Sequence, residues 1–146
     1  MKKYFWTLSV LAIFAVGFAA SDEDETKNTE EQAEESITYE SANAADMLSD
    51  LEKNEMRAQK KYAGKYLTIS GYLGSMDSEG EYFTLEPSPN STSFLKEVRC
   101  EIPKSKRETI TNIIIDKEKG DHIVVKGKVH DMGEVMGYTV KVYDIN

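Results

Sequence analysis

Two histidines are the first residues to test for chemistry in this 146-residue chain. His122 and His130 stand eight residues apart in a segment that alternates like a strand, so they share a face. Because a strand rises ~3.3 Å per residue, the two rings are too distant to share a metal ion without other ligands. The sequence also has no Gly-rich phosphate loop, no His-Glu-x-x-His motif and no Ser-His-Asp order. We therefore expect solvent-exposed histidines, no metal site, no cofactor and no catalysis, with an enzyme carrying a cryptic site as a second alternative.

Glu55 is the most unusual acidic residue because it falls within an apolar helical stripe. At about 100° per residue it lies between Leu51 and Ala58, on the face that a helix here would bury. A buried carboxylate is costly unless it is paired. We expect either a structural bond, to backbone amides or to Lys65 or Arg99, or a ligand-facing acid where this helix meets the rest of the fold. The stripe consists of Ala44, Leu48, Leu51, Ala58 and Tyr62.

A polar and aromatic surface is predicted on the outward side of three strands between positions 66 and 102. The candidate ligand-binding residues are Tyr72, Tyr82, Thr84 and Arg99, to which Glu55 is added from the helix. Single-stranded nucleic acid binds to basic grooves with stacking aromatic rings, and two tyrosines with an arginine supply part of such a groove. The full predicted surface is Thr68, Ser70, Tyr72, Tyr82, Thr84, Glu86, Arg99 and Glu101.

The first forty residues carry two segments that we do not expect to join a packed core. Lys2 and Lys3 precede an apolar run over positions 4–20, which is typical of an export signal cleaved after Ala19 or Ala20. The run is short for a spanning helix, which needs ~20 apolar residues, although an uncleaved membrane anchor stays open. Residues 21–40 contain nine acidic residues and one lysine, and they predict a disordered acidic tether.

Residues 41–146 remain, about 105 residues that are enough for one domain with a single core. This part carries 15 basic and 17 acidic residues, so the formal net charge of −8 belongs mainly to the tether. Cys100 is the only cysteine, which excludes an intrachain disulfide. Alternation with Val98 and Ile102 places its thiol inward, where we expect it to be buried and slow to react.

Hydrophobic periodicity divides this domain into two helices and five strands. The first helix is predicted to begin at Ser41 or Asn43, both good N-caps, and to end before Gly64. The second is predicted over positions 105–120, with a capping box of Ser105 and Glu108 at its start. The predicted strands cover about 66–75, 81–86, 97–102, 122–131 and 138–145.

The order helix, three strands, helix, two strands predicts an all-β protein with added helices. Five strands with a helix between the third and fourth describe the OB-fold, a five-stranded Greek-key barrel, here with an extra N-terminal helix. Gly71 and Gly127 occupy the same place in a short pattern that the first and fourth strands share. Glycine at such positions lets a strand bend at a barrel corner. A helix-capped sandwich is the alternative architecture.

Several short motifs of the domain are similar to those of a known family. They are Asn54-Glu55-x-Arg57-Ala58, Lys61-Tyr62-x-Gly64-Lys65, Ile69-x-Gly71, Val98-x-Cys100, and Gly120-Asp121 before Val125-x-Gly127-x-Val129. On these residues the chain resembles the tRNA-anti-like family of OB-fold domains, over most of positions 44–145. The resemblance implies an OB barrel with an added N-terminal helix, in proteins that are often exported, and kinship to tRNA anticodon-binding domains. It implies no ligand that can be assigned to a residue.

Together these observations indicate binding rather than catalysis. We expect an exported module, periplasmic or extracellular, that binds a protein, a peptide or a small polar ligand. Single-stranded nucleic acid is the first alternative, and the acidic tether and slightly acidic domain disfavour it because they repel phosphate. A membrane is expected to be contacted only through an uncleaved N-terminal segment. The fold alone does not decide among these functions.

Overall fold

The computed structural model describes residues 37–91, 96–133 and 137–146. The predicted export signal, residues 1–20, and positions 21–36 of the predicted tether lie outside the described residues. All the elements below belong to one compact unit, residues 38–146. None of the helices in the described ranges is long and apolar enough to cross a membrane.

Five strands close into a barrel, and a sixth, short strand lies at one edge. The sheet order is β1-β2-β3-β4-β6-β5, and β2 also pairs with β5, which closes the ring from β2 to β6. Strands β4 and β6 run parallel, as a Greek-key OB barrel requires. The predicted OB-fold is confirmed, and the sandwich alternative is wrong. The strands are β1 (Glu40–Asn43), β2 (Tyr66–Met76), β3 (Tyr82–Glu86), β4 (Glu97–Glu101), β5 (His122–Gly133) and β6 (Gly137–Ile145).

Strand β2 closes the barrel because its two halves have different partners. Its first half, Tyr66 to Tyr72, pairs antiparallel with β5. Its second half, Tyr72 to Met76, pairs antiparallel with β3, with a change of register between Leu73 and Met76. Such a bulge bends the strand and increases its twist. The strand can therefore curve from one neighbour to the other.

Strand β1 was not predicted, and it covers the part of β2 that β3 does not reach. It pairs parallel with β2, from Glu40 opposite Leu67 to Asn43 opposite Ser70. Glu40, which the sequence places at the end of the tether, is therefore the first residue of the sheet. Pairing here removes an exposed strand edge. Asn43 then caps the following helix, accepting a 2.7 Å hydrogen bond from the backbone N–H of Asp46.

The predicted N-terminal helix is two helices, α1 (Ala44–Lys53) and α2 (Glu55–Tyr62). Between them Asn54 adopts an extended conformation, with φ −165°. Its side-chain oxygen accepts a hydrogen bond of 3.0 Å from the backbone N–H of Arg57. An asparagine bonded in this way caps a new helix rather than continuing the old one. The prediction of one continuous helix is therefore wrong.

The two helices are joined by a hydrogen-bonded carboxylate. Asp50 of α1 accepts hydrogen bonds from Lys61 Nζ at 2.7 Å and from the Tyr62 hydroxyl at 2.8 Å, both from α2. These bonds, that of Lys61 first, lower the pKa of Asp50. The Tyr62 ring also packs edge-on against Tyr138 of β6 at 5.7 Å between centroids. The joint thus fixes both helices against the barrel.

The second predicted helix begins later and ends earlier than the sequence indicates. Ser105 lies in a 3-10 turn, Lys104–Lys106, and α3 (Arg107–Ile114) has no side-chain cap. The predicted capping box with Glu108 is therefore wrong. Gly120 lies beyond the helix with φ +94°, and its N–H donates to the Leu73 carbonyl at 2.8 Å. That bond ties the segment after α3 to the bulged part of β2.

The core fills the barrel, and a helix closes each end of it. Met47 of α1 accepts a 2.8 Å hydrogen bond at its carbonyl from the buried Tyr138 hydroxyl, at the start of β6. At the other end Ile110 and Ile114 of α3 are buried near the start of β3. Cys100 is fully buried, as predicted, and burial raises the pKa of its thiol. The largest fully buried side chains are Tyr138, Phe83, Met47, Leu67, Ile69, Leu73, Leu85, Ile110 and Ile123.

We expect Gly127→Ala to destabilise the barrel more than Gly71→Ala. A Cβ at Gly127 would lie 2.5 Å from Val140 Cγ1 and 2.6 Å from the Lys141 carbonyl oxygen, whereas at Gly71 its nearest neighbours stand at 3.1 and 3.2 Å. Strain against a backbone carbonyl is hard to relieve, so Gly127→Ala should cost about 1–3 kcal/mol. Denaturant titration of both variants measures the difference. Equal, near-zero losses would contradict the close strand approach at Gly127.

Candidate ligand-binding face

The register of β3 and β4 sorts their side chains onto two sides of the sheet. Tyr82 stands opposite Glu101 and Thr84 opposite Arg99, all on the outer side. Because side chains alternate along a strand, Glu86 and Glu97 share that side. The inner side carries Phe83, Leu85, Val98 and Cys100, all buried in the core. We call the outer set the β3–β4 face: Tyr82, Thr84, Glu86, Glu97, Arg99 and Glu101.

Arg99 stands in the middle of this face, opposite Thr84, and an aromatic ring and an acid hold its guanidinium toward one end. Its guanidinium lies over the Tyr82 ring, 3.7 Å from the centroid. Its Nε is 3.9 Å from Glu101 Oε1, and the other oxygen of Glu101 lies 3.0 Å from His130 Nε2. The predicted candidates Tyr82 and Arg99 are therefore in direct contact. Stacking on Tyr82 leaves Arg99 Nε buried without a hydrogen bond in the described part of the protein.

Thr84 and Glu86 belong to the face but are covered, which differs from the exposed positions that the sequence predicts. Thr84 is 1% exposed and Glu86 is 7% exposed. The Thr84 hydroxyl accepts a 2.9 Å hydrogen bond from the backbone N–H of Ser75. The bulged part of β2 therefore lies directly beside these side chains. Thr84 acts here as a structural acceptor, and only a ligand that displaces this bond could use its hydroxyl.

Glu86 and Glu97 form an acidic pair at the other end of the face. Burial raises the pKa of Glu97, and the charge of Glu86 raises it further, while Arg99 opposes the shift. Glu86 Oε2 is buried and has no hydrogen-bond partner among the described residues. The pair thus carries negative charge that the protein itself compensates only in part.

Tyr72 extends the same side of the sheet onto β2. It stands opposite Glu86 in the β2–β3 register, and its ring packs edge-on against His122 of β5, with 5.5 Å between centroids. Four of the five predicted site residues therefore lie on one continuous surface. Both histidines are exposed, as predicted, and they contact different partners at separate places on it.

Glu55 lies apart from this surface. It is the first residue of α2, where a negative charge suits the helix N-terminus. Its side chain is partly buried and has no ion pair or hydrogen bond within the described ranges. Lys65 pairs with Glu40 at 3.1 Å and Arg99 with Glu101, so neither serves as the predicted partner. The break at Asn54 explains the difference, because it removes Glu55 from the middle of a continuous apolar stripe.

A separate apolar cleft of about 400 Å³ lies between the β2–β3 turn and α3. Phe83, Ile102 and Ile114 contribute to its walls. Met76 and Ile115 also line it and are 45% and 72% exposed. Within the described residues, no three His, Cys, Asp or Glu side chains are grouped so that they could hold a metal ion.

A closed five-stranded Greek-key barrel with a helix between its third and fourth strands defines an OB-fold. The sequence profile of the tRNA_anti-like family matches residues 1–140. The chain belongs to the tRNA_anti-like family, and the predicted resemblance is confirmed. No curated protein is similar enough to the chain to count as a relative.

Solved structures with a similar fold have very different sequences. One is a putative nucleic acid-binding lipoprotein from Klebsiella pneumoniae, 18% identical, with a TM-score of 0.49 over 77% of this chain and 97% of that one. Another is the Stn1–Ten1 complex of S. pombe, 13% identical, with a TM-score of 0.43 over 76% and 77%. A third is an OBody bound to hen egg-white lysozyme, 16% identical, with a TM-score of 0.42 over 59% and 80%.

Two residues of this surface are missing from the predicted set. Glu97 lies on the same side of its strand as Arg99 and Glu101. The alternation of side chains along a strand was therefore enough to predict Glu97 as part of this surface. Gly74 had no such signal. A Cβ there would overlap the Thr84 hydroxyl and lie 2.8 Å from Glu86 Oε1, a contact that depends on the β2 bulge.

We expect Glu97→Gln to stabilise the fold at neutral pH. The folded state raises the pKa of Glu97 above its ordinary value near 4.5, so the native protein binds more protons there than the unfolded chain. Stability contributed by this group is present at low pH and is lost as the pH rises through the raised pKa. Because the group is partly exposed, the gain at pH 7 should be below about 1 kcal/mol. Denaturant titrations of the parent and the variant should show a higher free energy of unfolding for Glu97→Gln at pH 7 but not at pH 3.5. A lower free energy of unfolding at pH 7 would contradict the raised pKa of Glu97.

Proposed function

We propose that this chain is an exported, non-catalytic OB-fold module that binds a protein, a peptide or a small polar ligand on the β3–β4 face. One observation carries the proposal. Two polar atoms of charged side chains on that face, Glu86 Oε2 and Arg99 Nε, are buried and have no hydrogen-bond partner in the described part of the chain. A ligand that carries both a hydrogen-bond donor and an acceptor would supply a partner for each of these two atoms.

Unused polar atoms of this kind are uncommon in a folded protein. A buried group without a partner costs about 1–3 kcal/mol, and most buried polar groups are hydrogen-bonded. Two of the four such atoms among the described residues belong to the β3–β4 face, and the other two, Arg107 Nε and Thr111 Oγ1, lie at α3. Two unpartnered atoms of opposite charge on one sheet face support a binding site there. In the OB-fold this side of the barrel is also the usual ligand surface.

Single-stranded nucleic acid is the alternative, and the Tyr82–Arg99 stack favours it. Bases stack on tyrosine rings and on guanidinium planes. Against it, Glu86 and Glu97 place negative charge on the same face, where phosphate is repelled. The described part of the face also offers too few cations for a groove that follows a phosphate backbone. A cryptic enzyme site is the second alternative, and residues 37–91, 96–133 and 137–146 show no nucleophile in contact with a base to support it.

Site-specific photocrosslinking in the producing cells tests the binding face. A benzophenone amino acid replaces Tyr82 in the full chain, and a matched variant carries it at Met56, which is 82% exposed on α2. We expect a discrete adduct from position 82 that Arg99→Ala abolishes, with none from position 56. Adducts that disappear on nuclease treatment would select the nucleic-acid alternative. Equal adducts from both positions would contradict a specific β3–β4 binding face.

Export is tested separately, by sequencing the N-terminus of the protein recovered from the producing cells. Cleavage of the predicted signal should leave Ala20 or Ser21 as the first residue. An intact N-terminus in the membrane fraction would indicate an uncleaved anchor. Intact protein in the cytoplasm would overturn the proposed location.

A further inference from the structure

We propose that Glu86 and Glu97 form a cation subsite that binds the ammonium group of a lysine side chain in a peptide or protein ligand. The inference rests on the proposed function and assigns its ligand chemistry. It depends on three features of the acidic pair: an unpartnered buried oxygen, a backbone shaped to hold it, and a neighbouring carboxylate of the same charge.

The first feature is Glu86 itself. Its side chain belongs to a residue that is 7% exposed, and its Oε2 has no hydrogen-bond partner in the described part of the chain. An ionised carboxylate is seldom buried in this way without a paired charge. Arg99 does not supply that pairing, because its guanidinium stacks on Tyr82 and its Nε faces Glu101.

The second feature is the backbone of β2, which leaves room for this carboxylate. Gly74 passes beside it, and a Cβ there would stand 2.8 Å from both Cγ and Oε1 of Glu86. The next residue, Ser75, binds the Thr84 hydroxyl through its N–H. Gly74 thus leaves space for the Glu86 side chain that a larger residue would occupy. The position of Glu86 is therefore built by two strands.

The third feature is the charge of the site. Leu85 pairs with Val98, so the next residues along the register, Glu86 and Glu97, are neighbours on the outer side. Burial raises the pKa of Glu97, the nearby charge of Glu86 raises it further, and Arg99 opposes the shift. A cation bound between the two carboxylates would offset this effect of Glu86 and supply the N–H donor that Glu86 Oε2 lacks. An ammonium group fits because it is compact and carries three donors.

A bound divalent metal is disfavoured by the ligand set. Two carboxylates are present, but in the described ranges no third acidic, histidine or cysteine side chain joins them. Ca²⁺ needs six to eight oxygen ligands. An organic cation needs fewer, because the rest of its ligand can be held elsewhere on the face.

The test is an NMR titration of the isotopically labelled full chain with the peptide acetyl-Gly-Lys-Gly-amide. We expect saturable shifts at the Glu86 and Glu97 carboxyl carbons and at the Gly74 amide. The same peptide with an Nε-acetylated lysine should bind roughly tenfold more weakly or not measurably, since one lost ion pair of this kind is a factor of about ten. Equal binding of the two peptides would overturn the proposal.

Variants separate the subsite from folding and from the wider binding function. Glu97→Gln should fold at least as well as the parent and lose the preference for unmodified lysine, while Glu52→Gln, an exposed carboxylate on α1, should keep it. Gly74→Ala should also lose the preference for unmodified lysine, because the added Cβ would displace the Glu86 side chain. Unchanged preference in Glu97→Gln would refute the subsite. If the Glu97→Gln variant still formed the photocrosslinked adduct from position 82, the proposed binding function would stand without the cation subsite.

Two further titrations exclude other cations. CaCl₂ should leave the carboxyl shifts unchanged in the presence of the lysine peptide, and displacement of the peptide by Ca²⁺ would replace the proposal with a metal site. Acetyl-Gly-Arg-Gly-amide should bind more weakly than the lysine peptide. Tighter binding of the arginine peptide would contradict an ammonium-selective site.

Discussion

The fold depends on the double pairing of β2, because the barrel closes only if this one strand reaches both β3 and β5. Tyr72 marks the change of partner, standing opposite His122 on one side and Glu86 on the other. The bulge between Leu73 and Met76 gives the strand the bend that this change requires. Gly120 supports it from the segment after α3 by donating to the Leu73 carbonyl.

The same bulge also sets the surroundings of Thr84 and Glu86 on the β3–β4 face. In the bulged segment Ser75 donates its N–H to the Thr84 hydroxyl. Gly74 lies so close to Thr84 and Glu86 that a Cβ there would collide with both side chains. The closure of the barrel and the chemistry of the face are therefore consequences of one local irregularity. A change that straightens β2 would affect both together.

Much of the fold could be predicted from the sequence, because strand alternation and glycine stops are local signals. The five strands of the barrel and the buried thiol of Cys100 follow from them. The break at Asn54 was missed because an asparagine is tolerated within a helix, and only its bond to Arg57 makes it a cap here. The predicted capping box at Ser105 was wrong because Ser105 lies within a 3-10 turn, where its side chain does not cap the following helix. Strand β1 needs a partner distant in sequence, which no local pattern provides.

The candidate site was less predictable than the fold, since its properties arise from pairs of strands. Alternation placed Tyr82 and Arg99 on the same outward surface, but it could not show that the Arg99 guanidinium lies over the Tyr82 ring and faces Glu101. That placement matters electrostatically. Tyr82 and Glu101 hold the Arg99 guanidinium toward their end of the face. Arg99 therefore only partly opposes the rise in the pKa of Glu97 that burial and the charge of Glu86 cause. Membership of the tRNA_anti-like family accounts for the barrel. The division of charge across the β3–β4 face instead depends on the side chains of this chain, and substitutions of those side chains can measure its effect on ligand preference.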